Sequence, residues 1–169
     1  MVVHDRLQDV HLTFLGRAHT GSDICVWSPS EKVVATGDLL VGFVPGMGDG
    51  YPLEWPGTLL RLSDLGFDLV APGHGDVQTG RVRLSQMRGY LLELVERVSA
   101  LVGESLEDVL RVVDFGSLRS LRGEFGEYLA SNTARYRMMA PGTDVRAVLA
   151  SAVRGNVEAV YFHAKTQRR

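Results

Sequence analysis

The hydrophobic positions of the chain change period near its midpoint. In "DVHLTFLG", Val10, Leu12 and Phe14 alternate with His11 and Thr13 before Gly16, the period of two that marks a half-buried strand. On this reading the three apolar residues face a core and His11 is a plain surface residue. "DICVWSPSEKVVATGD" holds two apolar runs around Ser28-Pro29-Ser30-Glu31, a turn-rich tetrad suited to a hairpin. Asp38 falls just past the second run, and "FDLVAPGHG" repeats the unit as strand, Pro-Gly and then His74. Between them "VGFVPGMGDGYPLEWPG" has five glycines and three prolines in seventeen residues. That composition predicts a long surface loop from Val41 to Trp55, either a lid over a substrate or a disordered tract. Trp55-Pro56 then opens a short helix through "GTLLRLSDLG", with proline in the first turn where its missing N–H costs nothing.

From Met87 onward the spacing is helical. Leu91, Leu94, Val95, Val98, Leu101 and Val102 define one apolar stripe, as expected of a surface helix with one buried face. Glu93 and Arg97 form a favourable i,i+4 pair, while Gly89 inside the pattern costs about 1 kcal/mol against alanine. Ser105 to Asp108 reads as a capping box for a helix through Val113. Thr143 or Asp144 starts a last helix with Val145, Leu149, Ala152, Val153, Val157 and Val160 on one side. The expected organisation is one domain over residues 1–169, strand-rich from 1 to 80 and helical from 81 to 169, without repeats.

Composition narrows the functional classes. At 169 residues, 45% hydrophobic and 22% charged, the chain is in the globular range. Its net charge of -2 gives no general attraction to nucleic acid or membrane. The halves differ, with four basic and ten acidic residues in 1–80 and fourteen basic and ten acidic in 81–169. The basic excess fits arginine-rich solvated helix faces, and an acidic partner for the second half is the alternative. Cys25 is the single cysteine, which excludes intramolecular disulfides and cysteine-rich zinc sites and suits a small core hydrophobe. No stretch approaches the ~18 apolar residues of a membrane span, and the amino terminus has no apolar run of signal-peptide length. A soluble protein, cytoplasmic by default, is the expectation.

His19, Asp38 and His74 share a context, each following a predicted strand and entering a glycine-containing turn. Strands ending at one sheet edge would bring the three side chains together. Two imidazoles and a carboxylate suit zinc, or iron with open positions. A histidine in a turn is also commonly a capping or solvent-exposed residue, and both readings stand at this point.

The ordered series "LGRAHTGSD", "VVATGDLL" and "LVAPGHGDV" resembles the second half of the metallo-β-lactamase-fold hydrolase superfamily. The helices from "RVRLSQMRGYLLELV" resemble those of its quinoprotein-associated zinc hydrolases. The resemblance implies an α/β (α+β) fold, namely the second half of an αβ/βα sandwich, mostly antiparallel sheet plus helices. It implies His19 as a ligand of a first metal, Asp38 as a bridging and catalytic ligand and His74 as a ligand of a second metal. Zinc is the implied cofactor and a small molecule the implied substrate, among lactams, thioesters, lactones and phosphoesters. Asp38 stands where some β-lactamases of the superfamily carry cysteine, which disfavours that subgroup.

One departure qualifies the resemblance. The superfamily's His-x-His-x-Asp-His motif is absent, since neither His4 with Asp5 nor His11 reproduces its spacing, and His163 reads as a solvated histidine near a frayed terminus. A hydrolytic zinc takes three protein ligands and a water, whereas this chain offers one donor per metal plus a bridge. A single metal held by His19, Asp38, His74 and water would require the turns to move inward. The expected function is therefore a metal-dependent hydrolase present as a partial, truncated chain with an incomplete site. The alternatives are a non-catalytic binding module keeping half of the fold and a generic α/β domain with incidental histidines. Half a sandwich also leaves one apolar sheet face to be covered by the helices of 81–169, by a second copy in a homodimer, or by an amino-terminal partner half.

Overall fold

The alternating first half folds into a six-stranded sheet whose order follows the chain: β1 (Val2–His4), β2 (Asp9–Phe14), β3 (Ile24–Ser28), β4 (Val33–Val41), β5 (Leu69–His74) and β6 (Gln78–Thr79). This is a computed structural model, and it describes residues 1–4, 9–136 and 142–167. Asp5 lies outside the described residues. Every neighbouring pair is antiparallel except β4 and β5, which run parallel. The parallel pair needs a crossover, supplied by α1 (Trp55–Ser63). The rest of the described chain is helical: α2 (Val82–Ala100), α3 (Leu106–Val112), a 3-10 turn (Arg119–Leu121), α4 (Glu124–Tyr136) and α5 (Val145–Gln167). The result is a mostly antiparallel sheet with helices, the fold class expected.

Local chemistry sets the helix starts. Pro56 occupies the first turn of α1. Ser105 Oγ accepts from the Asp108 N–H at 3.2 Å and opens α3 where the capping box lies. At α5, Asp144 takes the capping role, its Oδ1 accepting from the N–H groups of Arg146 and Ala147 at 2.9 and 3.2 Å. Helix α2 begins at Val82, one turn before the stripe from Met87, and carries Gly89 on an exposed face.

Cross-strand register sorts the sheet residues into two faces, because paired residues point the same way. One row runs His11, Trp27, Val34, Val70 and Gln78, with Cys25 and Thr13 beside it. Cys25, Trp27, Val34 and Val70 are buried in one cluster with side chains of α1, α2, α4 and α5. The other row runs Leu12, Val26, Ala35 and Ala71, flanked by Phe14 against Ile24 and by Val33 against Leu69. Among the described residues no helix or strand covers this second face: Phe14 is 52% and Ile24 48% exposed. The expectation for β2 is thus inverted, since Val10, Leu12 and Phe14 lie on the bare side and the part-buried His11 on the helical side opposite Trp27. Pairing with β3 decides this, because burial of Cys25 and Trp27 fixes which way every strand in register must face.

The segment after β4 also departs from expectation. Residues 42–54 form no helix or strand, yet Val44, Met47 and Pro52 are buried. Asn156 on α5, itself buried, donates from Nδ2 to the Pro45 carbonyl at 2.9 Å and to the Tyr90 hydroxyl at 2.8 Å. The Tyr51 N–H donates to the Ala18 carbonyl at 2.7 Å. A segment so anchored is a packed part of the core, neither a surface loop nor a lid. Its glycines and prolines allow irregular backbone while its apolar side chains fill the space between α1 and α5.

Candidate metal centre

Asp38 and His74 meet because β4 and β5 are parallel and end at the same edge of the sheet. Strand β4 shifts register at Gly37, whose φ of +53 is a conformation that favours glycine. Before that bulge Val34 and Thr36 alternate with exposed neighbours; after it Leu39, Leu40 and Val41 are all buried and Asp38 is turned to the edge. His74 sits opposite Val41 in the last pairing of β5, and its carbonyl accepts from the Gly42 N–H at 2.7 Å. His74 Nε2 lies 3.4 Å from Asp38 Oδ1, with 53% and 35% of the two side chains accessible. The Phe43 ring lies against the imidazole at 5.1 Å between centroids.

This meeting depends on small residues. A Cβ on Gly73 would collide with Asp38 Oδ1 and lie 2.6 Å from the Gly37 carbonyl carbon. A Cβ on Gly42 would come within 3.1 Å of both the His74 carbonyl oxygen and the Tyr128 hydroxyl. Helix α4, which the hydrophobic spacing of the chain leaves unread, packs against this crossing. Tyr128 accepts from Gln78 Nε2 at 2.6 Å, and Arg135 Nη1 donates to Asp76 at 2.8 Å, two residues beyond His74. The signal lies in "EFGEYLASNTARY", where Phe125 and Leu129 are buried four residues apart with Tyr128 and Asn132 on the adjoining face.

His19 is held elsewhere by its own turn. The Asp23 carboxylate accepts from the Thr20 N–H and hydroxyl, both at 2.9 Å, and closes the turn locally. Thr58 on α1 donates to the Arg17 carbonyl at 2.8 Å. The Arg17 guanidinium, 4.4 Å above the Tyr51 ring, also bonds Glu54, which raises its already high pKa. The part-buried His19 ring meets Trp55 edge-on at 5.8 Å, and Trp55, fully buried, donates its indole N–H to the Leu39 carbonyl at 3.0 Å.

The structure therefore brings Asp38 and His74 together and leaves His19 against Trp55. Among the described residues no three side chains of His, Cys, Asp or Glu converge closely enough to hold a metal ion. Cys25 adds no donor, because burial on the helical face pushes its thiol up to about 12. The two donors brought together fall short of the three that a hydrolytic zinc requires. His163 stands apart from this edge, part-buried in α5 with its ring 6.4 Å from Tyr51, not solvated at a frayed end. No helix of the described residues is long and apolar enough to cross a membrane.

Residues 7–74 match the family model of the metallo-beta-lactamase superfamily. Among solved structures, a metallo-beta-lactamase from Pontibacter korlensis is 22% identical with a TM-score of 0.50, the match covering 54% of this chain and 45% of that one. The metallo-beta-lactamases IND-7 and DIM-1 are each 21% identical over 54% of this chain and 44% of theirs, with TM-scores of 0.48 and 0.47. No curated protein sequence matches. The match spans less than half the length of these solved proteins, and the likeness to the Pontibacter korlensis protein, at 22% identity, is one of fold.

Proposed function

We propose that this chain, whose residues 7–74 match the metallo-beta-lactamase superfamily, contributes the Asp38 and His74 side chains to a metal-dependent hydrolase centre, with zinc as the metal and the missing donors supplied from outside this pair. The observation that carries the reading is the 3.4 Å approach of His74 to Asp38 at the carboxyl ends of two parallel strands, the edge at which open α/β sheets commonly bind ligands. In a complete centre a zinc ion supplies a water acidic enough to act as hydroxide near neutral pH. The two donors here do not assemble that centre, so this chain's own part is to hold a carboxylate and an imidazole at fixed separation. Gly37, Gly42 and Gly73 permit that geometry, and Phe43 limits the freedom of the imidazole.

The same two-donor count favours one second reading, a non-catalytic module that keeps the fold and binds without turnover. Zinc titration of the isotope-labelled chain, followed by NMR, separates the two. The metal reading expects saturable shifts at His74 and Asp38 with Kd above about 10 μM, abolished in His74→Ala and Asp38→Asn, and no turnover of lactam, thioester, lactone or phosphoester substrates by the chain alone. Stoichiometric zinc held at submicromolar Kd would refute the incomplete site. Absence of any response at either residue would leave the binding module.

A further inference from the structure

We infer that Asn156 on α5 is a positioning residue for His74, acting through Pro45 and Phe43; the inference rests on the reading of Asp38 and His74 as metal donors. Asn156 is buried along with Val153, Val157 and Val160 of the same helix, a place where an amide costs free energy unless its polar atoms are bonded. Its Nδ2 donates to two acceptors of different kinds. The Tyr90 hydroxyl belongs to α2, a helix that packs on α5 in any case. The Pro45 carbonyl lies 111 positions away in a stretch with no helix or strand of its own, so this bond ties an irregular backbone to the helical layer.

The tie reaches the site through three residues. Phe43 lies between two fixed points, since the Gly42 N–H donates to the His74 carbonyl at 2.7 Å and the Pro45 carbonyl accepts from Asn156 at 2.9 Å. Between them Val44 is buried. A residue before proline favours extended backbone, in which successive side chains point to opposite sides. With Val44 turned into the core, Phe43 is turned out of it, and its ring lies 5.1 Å from the His74 imidazole at a tilt of 38°. His74 needs such a neighbour. Its side chain is half accessible and its approach to Asp38 is a long one, at 3.4 Å. An accessible side chain exchanges among staggered rotamers, and only some of these face Asp38. Phe43 removes part of that freedom, and Asn156 keeps Phe43 in place.

NMR of the isotope-labelled, metal-free chain tests this through nuclear Overhauser effects between the Phe43 ring and the His74 imidazole. The wild type is expected to show them. Asn156→Leu, which keeps the bulk and removes the donor, is expected to lose them and to move the His74 imidazole signals toward those of Phe43→Ala. Tyr90→Phe removes the other bond of Asn156 and leaves Pro45 bonded, so it is expected to keep both contacts and signals; a loosened core alone would not spare it. In zinc titrations Asn156→Leu and Phe43→Ala are each expected to raise Kd by about tenfold, the low end of the cost of losing a group that orients a ligand, with no further rise in the double variant. Contacts missing from the wild type, contacts and His74 signals unchanged in folded Asn156→Leu, or an equal loss in Tyr90→Phe each overturn the inference. If Asn156→Leu does not fold, the wild type decides. On warming below its melting temperature the Phe43–His74 effects should vanish together with the side-chain amide signals of Asn156, and effects that outlast those signals overturn the inference too. A wild type whose His74 never responds to zinc refutes the metal reading, while the metal-free contacts decide the positioning role by themselves.

Discussion

Val26 and Trp27 are neighbours in β3, and the first is 40% exposed while the second is 9% exposed. Both are apolar, both lie in mid-strand, and each pairs with an apolar residue on β4, Ala35 and Val34 respectively. The helices make the difference. On the Trp27 side α1, α2, α4 and α5 complete a core, and on the Val26 side the described chain supplies no layer. An apolar alternation therefore states how many faces a strand means to bury, not which one its own chain will cover.

Substitutions on the two sides should diverge, and the widest gap is expected at Trp27. Trp27→Ala empties part of the helical-side core and should destabilise the chain by about 3–5 kcal/mol, read as a lower urea midpoint. Asn156→Ala tests the helical layer through a polar contact. Losing its bonds to Pro45 and Tyr90 leaves buried groups unpaired and should cost about 2–3 kcal/mol. A smaller effect is expected at Glu93, whose carboxylate accepts from the N–H groups of Arg119 and Ser120 at 2.9 and 2.8 Å. Burial acts to raise its pKa, but the bonds from Ser120 and Arg119 and the nearby Arg97 outweigh it and hold the group below its usual value. Its contribution, about 1–2 kcal/mol, is present above the unfolded pKa near 4.3 and is lost as pH falls through the lower folded value. The melting-temperature gap between wild type and Glu93→Gln should therefore be full at pH 6 and close toward pH 3. Smallest is the bare side. Val26→Thr should change the stability of the monomer by no more than ~0.5 kcal/mol, measured at concentrations where any dimer has dissociated. A loss comparable to that of Trp27→Ala would show that the two faces are not different after all.

Elements with local signals were legible in the sequence. The strands around Ser28-Pro29 follow from two apolar runs split by a turn tetrad, α3 from its capping box and α5 from an apolar stripe that includes buried Leu149, Val153, Val157 and Val160. Helix α4 was not, because Tyr128 and Asn132 interrupt its apolar face to meet the turns around Gly42 and Gly75. The packed state of residues 42–54 was illegible for a related reason: its partners, Asn156 and Ala18, lie far along the chain. At the site, Asp38 and His74 were readable as residues near strand ends, but not in turns after them: Asp38 lies within β4, past its bulge at Gly37, and His74 is the last residue of β5. Their approach depends on a parallel pairing that no residue signals locally. His19 shows the converse, since its turn resembles the others but is tied by Asp23 and Thr58 to a position beside Trp55.

Gly73 bears on what the string Pro-Gly-His-Gly means wherever it is found. Any side chain there would strike Asp38 and the Gly37 backbone, so the glycine answers to the crossing of two strands and is indifferent to whether a metal is ever bound. A change of function at this edge would still have to keep it as long as the sheet was kept. Gly73 is then a record of architecture, and within the string only His74 offers a side chain that could serve chemistry.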